Sequence, residues 1–432
     1  MSLHRTRGLA LCIALAALLV ACGGQTAVQP TAAPATVVPT EAPAPTVAPT
    51  EAPTAAAPTE APAPTVAPTE APAEAGLLPR ALYMLRAGQI VRLEADGTTE
   101  TQITDEAPFR SDVVAVTDFA VSPADGSLAY VVQREGTPVL VRSGPDGQDA
   151  APLFDSAEVA VSDPLFTPDG QLVAARLTGQ PGFQSGLYLI PAAGGEPRLL
   201  VPDEGEPDPA NPGYGHAPSA FSPDGARLLT NRFGLAVELC DLAVVSLADG
   251  AAVPLQVPTP TEGDRATSCE TGAWAPDGSA VYFAPVRIGA APGATGIWRA
   301  DPATGESFPI TPQADGPPFT LYAGPGVAAD GTLRAFVAQA DTLPIPFEPA
   351  PASLAYTMAA IDPAGGMSAE LGAAVNEAPV QVLWAPDGSG AVALLFPEVG
   401  DPGLFWLPAD GGEPALLLGA TTDLFAYRWA AP

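Results

Sequence analysis

The chain has 432 residues, with 17 Arg and no Lys set against 48 Asp plus Glu, and a formal net charge of −31. Such a surface repels nucleic acid and anionic headgroups, which excludes nucleic-acid binding as a function class. Apolar residues make up 47%, enough for a large core, while 53 prolines and 43 glycines favour turns and linkers over long helices.

Residues 1–21 read as a signal segment. His4, Arg5 and Arg7 precede "GLALCIALAALLVA" (8–21), an apolar run too short for a spanning helix. It closes on Leu19-Val20-Ala21-Cys22, followed by two glycines. This resembles the bacterial lipoprotein signal, in which the cysteine after a small residue is lipidated and becomes the first residue of the mature chain. The resemblance implies a lipidated Cys22 that anchors the protein to the cytoplasmic membrane or cell surface, outside the cytoplasm. Each buried CH₂ of the acyl chains contributes about 0.8 kcal/mol. An ordinary signal peptide cleaved elsewhere is the alternative. No later stretch reads as a membrane span.

Residues 22–79 read as a tether. Ala, Pro, Thr, Val and Glu dominate it, and "TEAPAPTVAPTEAP" occurs at 40–53 and again at 59–72. Proline at that density blocks helix and ladder and favours polyproline II, about 3.1 Å per residue. A passive spacer is the simplest role, with docking through the prolines as the alternative.

Residues 80–432 are built from a repeat. One turn recurs as "VSPADG" (121–126), "TPDG" (167–170), "SPDG" (222–225), "APDG" (275–278), "AADG" (328–331) and "APDG" (385–388), each following an apolar residue that ends a short run. Proline presets φ for a tight turn and Asp-Gly supplies left-handed residues, so each copy predicts a hairpin. A catalytic role for an Asp repeated six times is not expected. A second marker follows as "PVLVRSGPDG" (138–147), "GLYLIPAAGG" (186–195), "DLAVVSLADG" (241–250), "GIWRADPATG" (296–305), "YTMAAIDPAGG" (356–366) and "GLFWLPADGG" (403–412). Four strands per unit of about 50 residues is a propeller blade. The second marker also appears early, as "GQIVRLEADG" (88–97), in a blade that lacks a first strand. "LFAYRWA" at the C-terminus supplies it. The expectation is an all-β, seven-bladed β-propeller of four-stranded blades, closed by the C-terminal strand completing the N-terminal blade.

The repeat resembles the WD40-like repeats of TolB-type propellers. That resemblance implies an extracytoplasmic protein-interaction platform, and, because TolB-type propellers commonly have six blades, a six-bladed ring as the alternative. TolB's own partner role does not transfer, since this chain has a tether where TolB has a further domain.

If the first strand of each blade runs downward, the Pro-Asp-Gly hairpins lie below. The long insertions at 201–218, 257–270, 286–295 and 339–354 then lie on the upper rim, which makes that rim the expected binding face for an envelope or secreted protein. Cys240 and Cys269 fall on that rim in neighbouring blades and are expected to form a disulfide. Two free thiols are the alternative.

Enzymatic chemistry is not expected. Past the signal the single histidine is His216, in "GYGHAP", and no G-x-S-x-G elbow occurs. No cofactor or metal site is expected either: "DEGEPDP" (203–209) lacks calcium-loop spacing. Tyr214 and His216 are candidate rim contacts. Asp118 and Asp163 stand five residues before the turn proline, and Thr271 and Gln381 hold the equivalent places in other blades. These four are expected to crown the channel mouth, where they either orient a ligand or satisfy backbone donors. They support a second reading, a small-ligand (peptide or sugar) receptor or hydrolase. A monomer is expected.

Overall fold

The computed structural model describes residues 76–108, 114–205, 213–235, 240–256, 265–267, 272–288, 296–312, 317–341, 354–363, 366–376, 379–396, 402–419 and 424–432. These residues form seven four-stranded antiparallel sheets and one two-stranded ribbon, with no helix among them. The seven sheets are the blades of a ring. Their innermost strands, in blade order, are Leu424–Trp429, Val116–Val121, Val159–Phe166, Tyr214–Phe221, Ala273–Trp274, Phe319–Val327 and Val380–Trp384.

Blade 1 is closed from both ends of the ring. Its strand Leu82–Arg86 pairs on one side with Gln89–Leu93 and on the other with Leu424–Trp429. The ladder hydrogen bonds that would otherwise be two open sheet edges are made within one blade.

The apolar runs bury both faces of every blade. Seven apolar clusters form, and each draws its buried residues from two neighbouring blades. Leu82 and Met84 of blade 1 pack with Val392 and Trp406 of blade 7, for example, and Leu189 of blade 3 packs with Leu228 and Val245 of blade 4. Seven seams for seven blades is the count of a closed ring, and it excludes the six-bladed alternative. No blade has a core of its own, so each depends on its neighbours.

The six Asp-Gly turns of the repeat, four of them Pro-Asp-Gly, are structural. In all six the Asp Oδ1 accepts the backbone N–H two residues on, at 2.9–3.1 Å, from Ser127 through Ser389. The following glycines have φ between +68° and +84°. Three of the segments read as insertions, 201–218, 257–270 and 286–295, contain strand. Tyr214 to Pro218 belong to the innermost strand of blade 4, and Glu204 bridges to Tyr214. Arg265–Thr267 pairs with Val286–Ile288 in the two-stranded ribbon, apart from the blades.

Candidate functional site at the channel mouth

The inner strands converge on the axis, and most of them bulge at one level. Register shifts fall between Val116 and Asp118, Ser162 and Leu165, Pro218 and Ala220, Ala323 and Gly326, and Val380 and Leu383. A bulge re-aims a side chain that the pleat would otherwise send into the blade. At this level Asp163, Gln381 and Gly324 have φ of +54°, +52° and +55°. A Cβ on Gly324 would also lie 2.6 Å from Val382, so glycine is required there twice over.

At the level of the bulges lies a cavity of about 550 Å³ whose polar lining includes Asp118, Asp163, Ser219, Gln381 and Arg428. Asp118 accepts the Phe119 N–H at 2.7 Å, and Ser162 Oγ donates to Asp163 at 2.6 Å. Burial pushes the Asp118 carboxyl up to about 6; the Arg428 charge pulls against that, and the Asp163 charge adds to it.

Side-chain donors tie the inner strands of different blades, which share no ladder. Trp274 Nε1 donates to the Ala220 carbonyl at 3.1 Å, Trp384 Nε1 to Gly324 at 2.7 Å and Trp429 Nε1 to Trp384 at 2.8 Å. The Tyr427 hydroxyl donates to the Gln381 carbonyl. This is the physical use of the aromatic residue that precedes the turn in the repeat.

Asp118, Asp163 and Gln381 therefore meet in one cavity, as their shared offset from the turn predicts. Thr271, Cys269 and Cys22 lie outside the described residues. Cys240, at the head of strand Cys240–Ser246, is disulfide-bonded. Arg428 and Ser219 join the site without standing out in the sequence. Their signal is their register, one and two residues before the aromatic residue that closes each inner strand.

His216 and Tyr214 are placed differently from the expectation. His216 is not in a loop; it lies within an inner strand and is 1% exposed. Its Nδ1 is 3.0 Å from Thr230 Oγ1 and its Nε2 is 4.0 Å from Glu204. Burial holds its pKa down at about 4, so it is neutral at pH 7. Around it, Arg176 makes a two-pronged ion pair with Asp203 at 2.7 and 2.8 Å and lies over the Phe233 ring at 4.8 Å. Arg232 pairs with Glu204 at 3.2 Å and covers the Tyr214 ring at 3.3 Å. These groups form a polar seam between blades 3 and 4 instead of a free rim.

No protein-family model matches the sequence, and no curated protein matches it. Among solved structures the chain is similar to TolB from Acinetobacter baumannii, at 17% identity over 80% of this chain and 79% of that one, with a TM-score of 0.40. It is similar to a puromycin-hydrolyzing peptidase from Mycobacterium tuberculosis, at 15% identity over 77% of this chain but 49% of that one, with a TM-score of 0.49. It is also similar to an oligogalacturonate lyase in complex with manganese, at 15% identity over 79% of this chain and 85% of that one, with a TM-score of 0.51. The last of these likenesses shows a shared propeller fold.

Proposed function

We propose that this chain is a lipid-anchored, extracytoplasmic propeller that serves as a protein-binding platform in the cell envelope, with the rim opposite the Pro-Asp-Gly hairpins as its working face. Cys22 is the lipidated residue in this reading, and residues 22–79 hold the ring away from the membrane. The observation that carries the reading is the inequality of the two rims. On one, the connections are short and pinned by Asp, as from Phe166 to Leu172 or Phe221 to Arg227. On the other they run from Phe283 to Trp298, Ala340 to Tyr356 and Pro254 to Ala273, and the first and third of these each supply one strand of the extra ribbon. Sequence can vary there without disturbing the ring, which is where a scaffold places recognition. A Cys240–Cys269 disulfide would brace that rim across two blades.

The test is capture from envelope extract by three full-length baits: the unaltered chain, one with 339–354 shortened, and Asp277→Asn on the opposite rim. A stoichiometric protein held by the first and third and lost by the second supports the platform. A protein held equally by all three, or by none, removes it. Metabolic labelling with a fatty acid, lost in Cys22→Ser, checks the anchor separately.

A further inference from the structure

We propose that the channel cavity binds a compact zwitterion, a free amino acid or short peptide, with its ammonium between Asp118 and Asp163 and its carboxylate on Arg428.

The inference goes beyond the rim reading and does not depend on it. Its first ground is distribution of charge. The level that carries Asp118 on blade 2 and Asp163 on blade 3 carries Ala426 on blade 1, Pro218 on blade 4 and Gly324 on blade 6. The two carboxylates thus sit side by side on one wall instead of forming a ring. Arg428, from blade 1, lies next to them around the axis and lines the same cavity. One wall therefore offers both signs of charge in a fixed order.

The second ground is what fits that order. Two carboxylates against one guanidinium leave an excess of negative charge, which an ammonium group neutralises while its three N–H donors find acceptors. Asp118 and Asp163 supply two, and the Gln381 side chain, which lines the same space, is a third. A planar guanidinium matches a carboxylate in a two-pronged geometry. A cavity of about 550 Å³ lies within the range of small-molecule sites.

The third ground excludes competing occupants. Among the described residues no three His, Cys, Asp or Glu side chains gather as a metal group, and calcium takes six to eight oxygens. A sugar calls for an aromatic platform. Among the described residues the single aromatic side chain in the lining is Tyr427, whose hydroxyl is already given to the Gln381 carbonyl. The remaining wall is Pro164, Leu165, Pro218, Val382, Leu383 and Ala426, which suits an aliphatic body.

The test is titration calorimetry of the full chain with leucine, trialanine, N-acetyl-trialanine and trialanine amide. Trialanine or leucine is expected to bind. Acetylation and amidation of trialanine each remove one charge and are each expected to weaken binding about tenfold or more. These comparisons use the unaltered protein, so folding of a variant does not enter. Asp163→Asn should then bind the free and acetylated peptides alike, and Arg428→Gln the free and amidated peptides alike, with unchanged thermal midpoints as the control. No binding of leucine or trialanine up to about 10 mM, or equal binding of the blocked and free peptides, overturns the proposal.

Discussion

Leu82 and Trp429 are direct register partners, so residues from the first and last strands of the ring meet in one ladder. Leu82 is fully buried, and the Trp429 indole reaches on to the Trp384 carbonyl of blade 7 and edge-packs against Trp406. Strand Leu424–Trp429 thus closes a ladder and a seam at once. Removing 424–432 is expected to expose a bare edge on Leu82–Arg86 and to open the apolar cluster that blades 1 and 7 share. The result should be a lower, less cooperative thermal transition and association on size-exclusion chromatography. Adding a synthetic 424–432 peptide should restore part of both. A truncated chain that melts like the intact one would refute the closure.

In blade 4 the two recurring glycines of the repeat do different work, and alanine separates them. Gly225, in a Pro-Asp-Gly turn, has φ of +68°, and a Cβ added there would meet nothing closer than 3.6 Å, so only backbone conformation opposes a side chain. Gly250, in the second marker, has φ of +75° and would place its Cβ 2.0 Å from the Leu200 carbonyl of blade 3. Gly305 stands in the same relation to the Pro254 carbonyl, at 2.2 Å. Gly225→Ala is expected to cost about 1–2 kcal/mol. Gly250→Ala adds a backbone collision between blades and should cost roughly 2–4 kcal/mol. Urea unfolding of the two variants reads the difference; equal costs would contradict it.

Much of this is legible in the sequence because the repeat states each local rule six or seven times. Pro-Asp-Gly between apolar runs implies a hairpin by turn chemistry alone, and counting second markers against first markers reveals the missing strand. The offset of Asp118, Asp163 and Gln381 from the turn places them at one depth. What sequence does not show is which contacts cross between blades. Gly250 reads as a turn glycine, and only the approach of Leu200 reveals its packing role. His216 sits among Gly, Tyr and Pro, a composition that reads as loop. Its strand exists because Tyr214 to Phe221 pairs with Arg227 to Gly234, a tertiary preference that overrides local turn signals. Arg428 escapes a sequence reading because its charge matters only beside blades 2 and 3, far away in the chain.

The Arg176–Asp203 pair lies within blade 3 on its seam with blade 4, where Arg176 meets Phe233, and its two ends are not equivalent to an apolar pair. Both side chains are about 10% exposed. Asp203→Ala leaves the guanidinium buried beneath Phe233 without its partner, which is expected to cost about 3–5 kcal/mol. The double variant Arg176→Met, Asp203→Leu removes both charges and should recover most of that loss. Denaturant midpoints of the single and double variants check this. A double variant as unstable as the single one would show that the pair's hydrogen bonds, not the orphaned charge, hold the seam.

Two buried groups set opposite responses to acid. His216 has its pKa lowered to about 4, below the ordinary 6.5, so as pH falls through 6.5 the unfolded chain takes up a proton that the folded chain refuses. Stability is lost from pH 6.5 down to 4, by up to about 3 kcal/mol. Asp118 has its pKa raised to about 6, above the ordinary 3.8, so between pH 6 and 3.8 the folded chain holds a proton that the unfolded chain lacks. Its burial costs most above pH 6, and stability is regained as pH falls toward 3.8, by about 1–3 kcal/mol for a carboxyl that still touches solvent in the channel. His216→Gln should therefore gain on the unaltered chain as pH drops from 7 to 4.5. Asp118→Asn should be the more stable protein at pH 7 and lose that advantage over the same interval. Taking each variant's unfolding free energy as a difference from the unaltered chain cancels every other titrating group. Differences that stay flat across the interval would place His216 and Asp118 in contact with water.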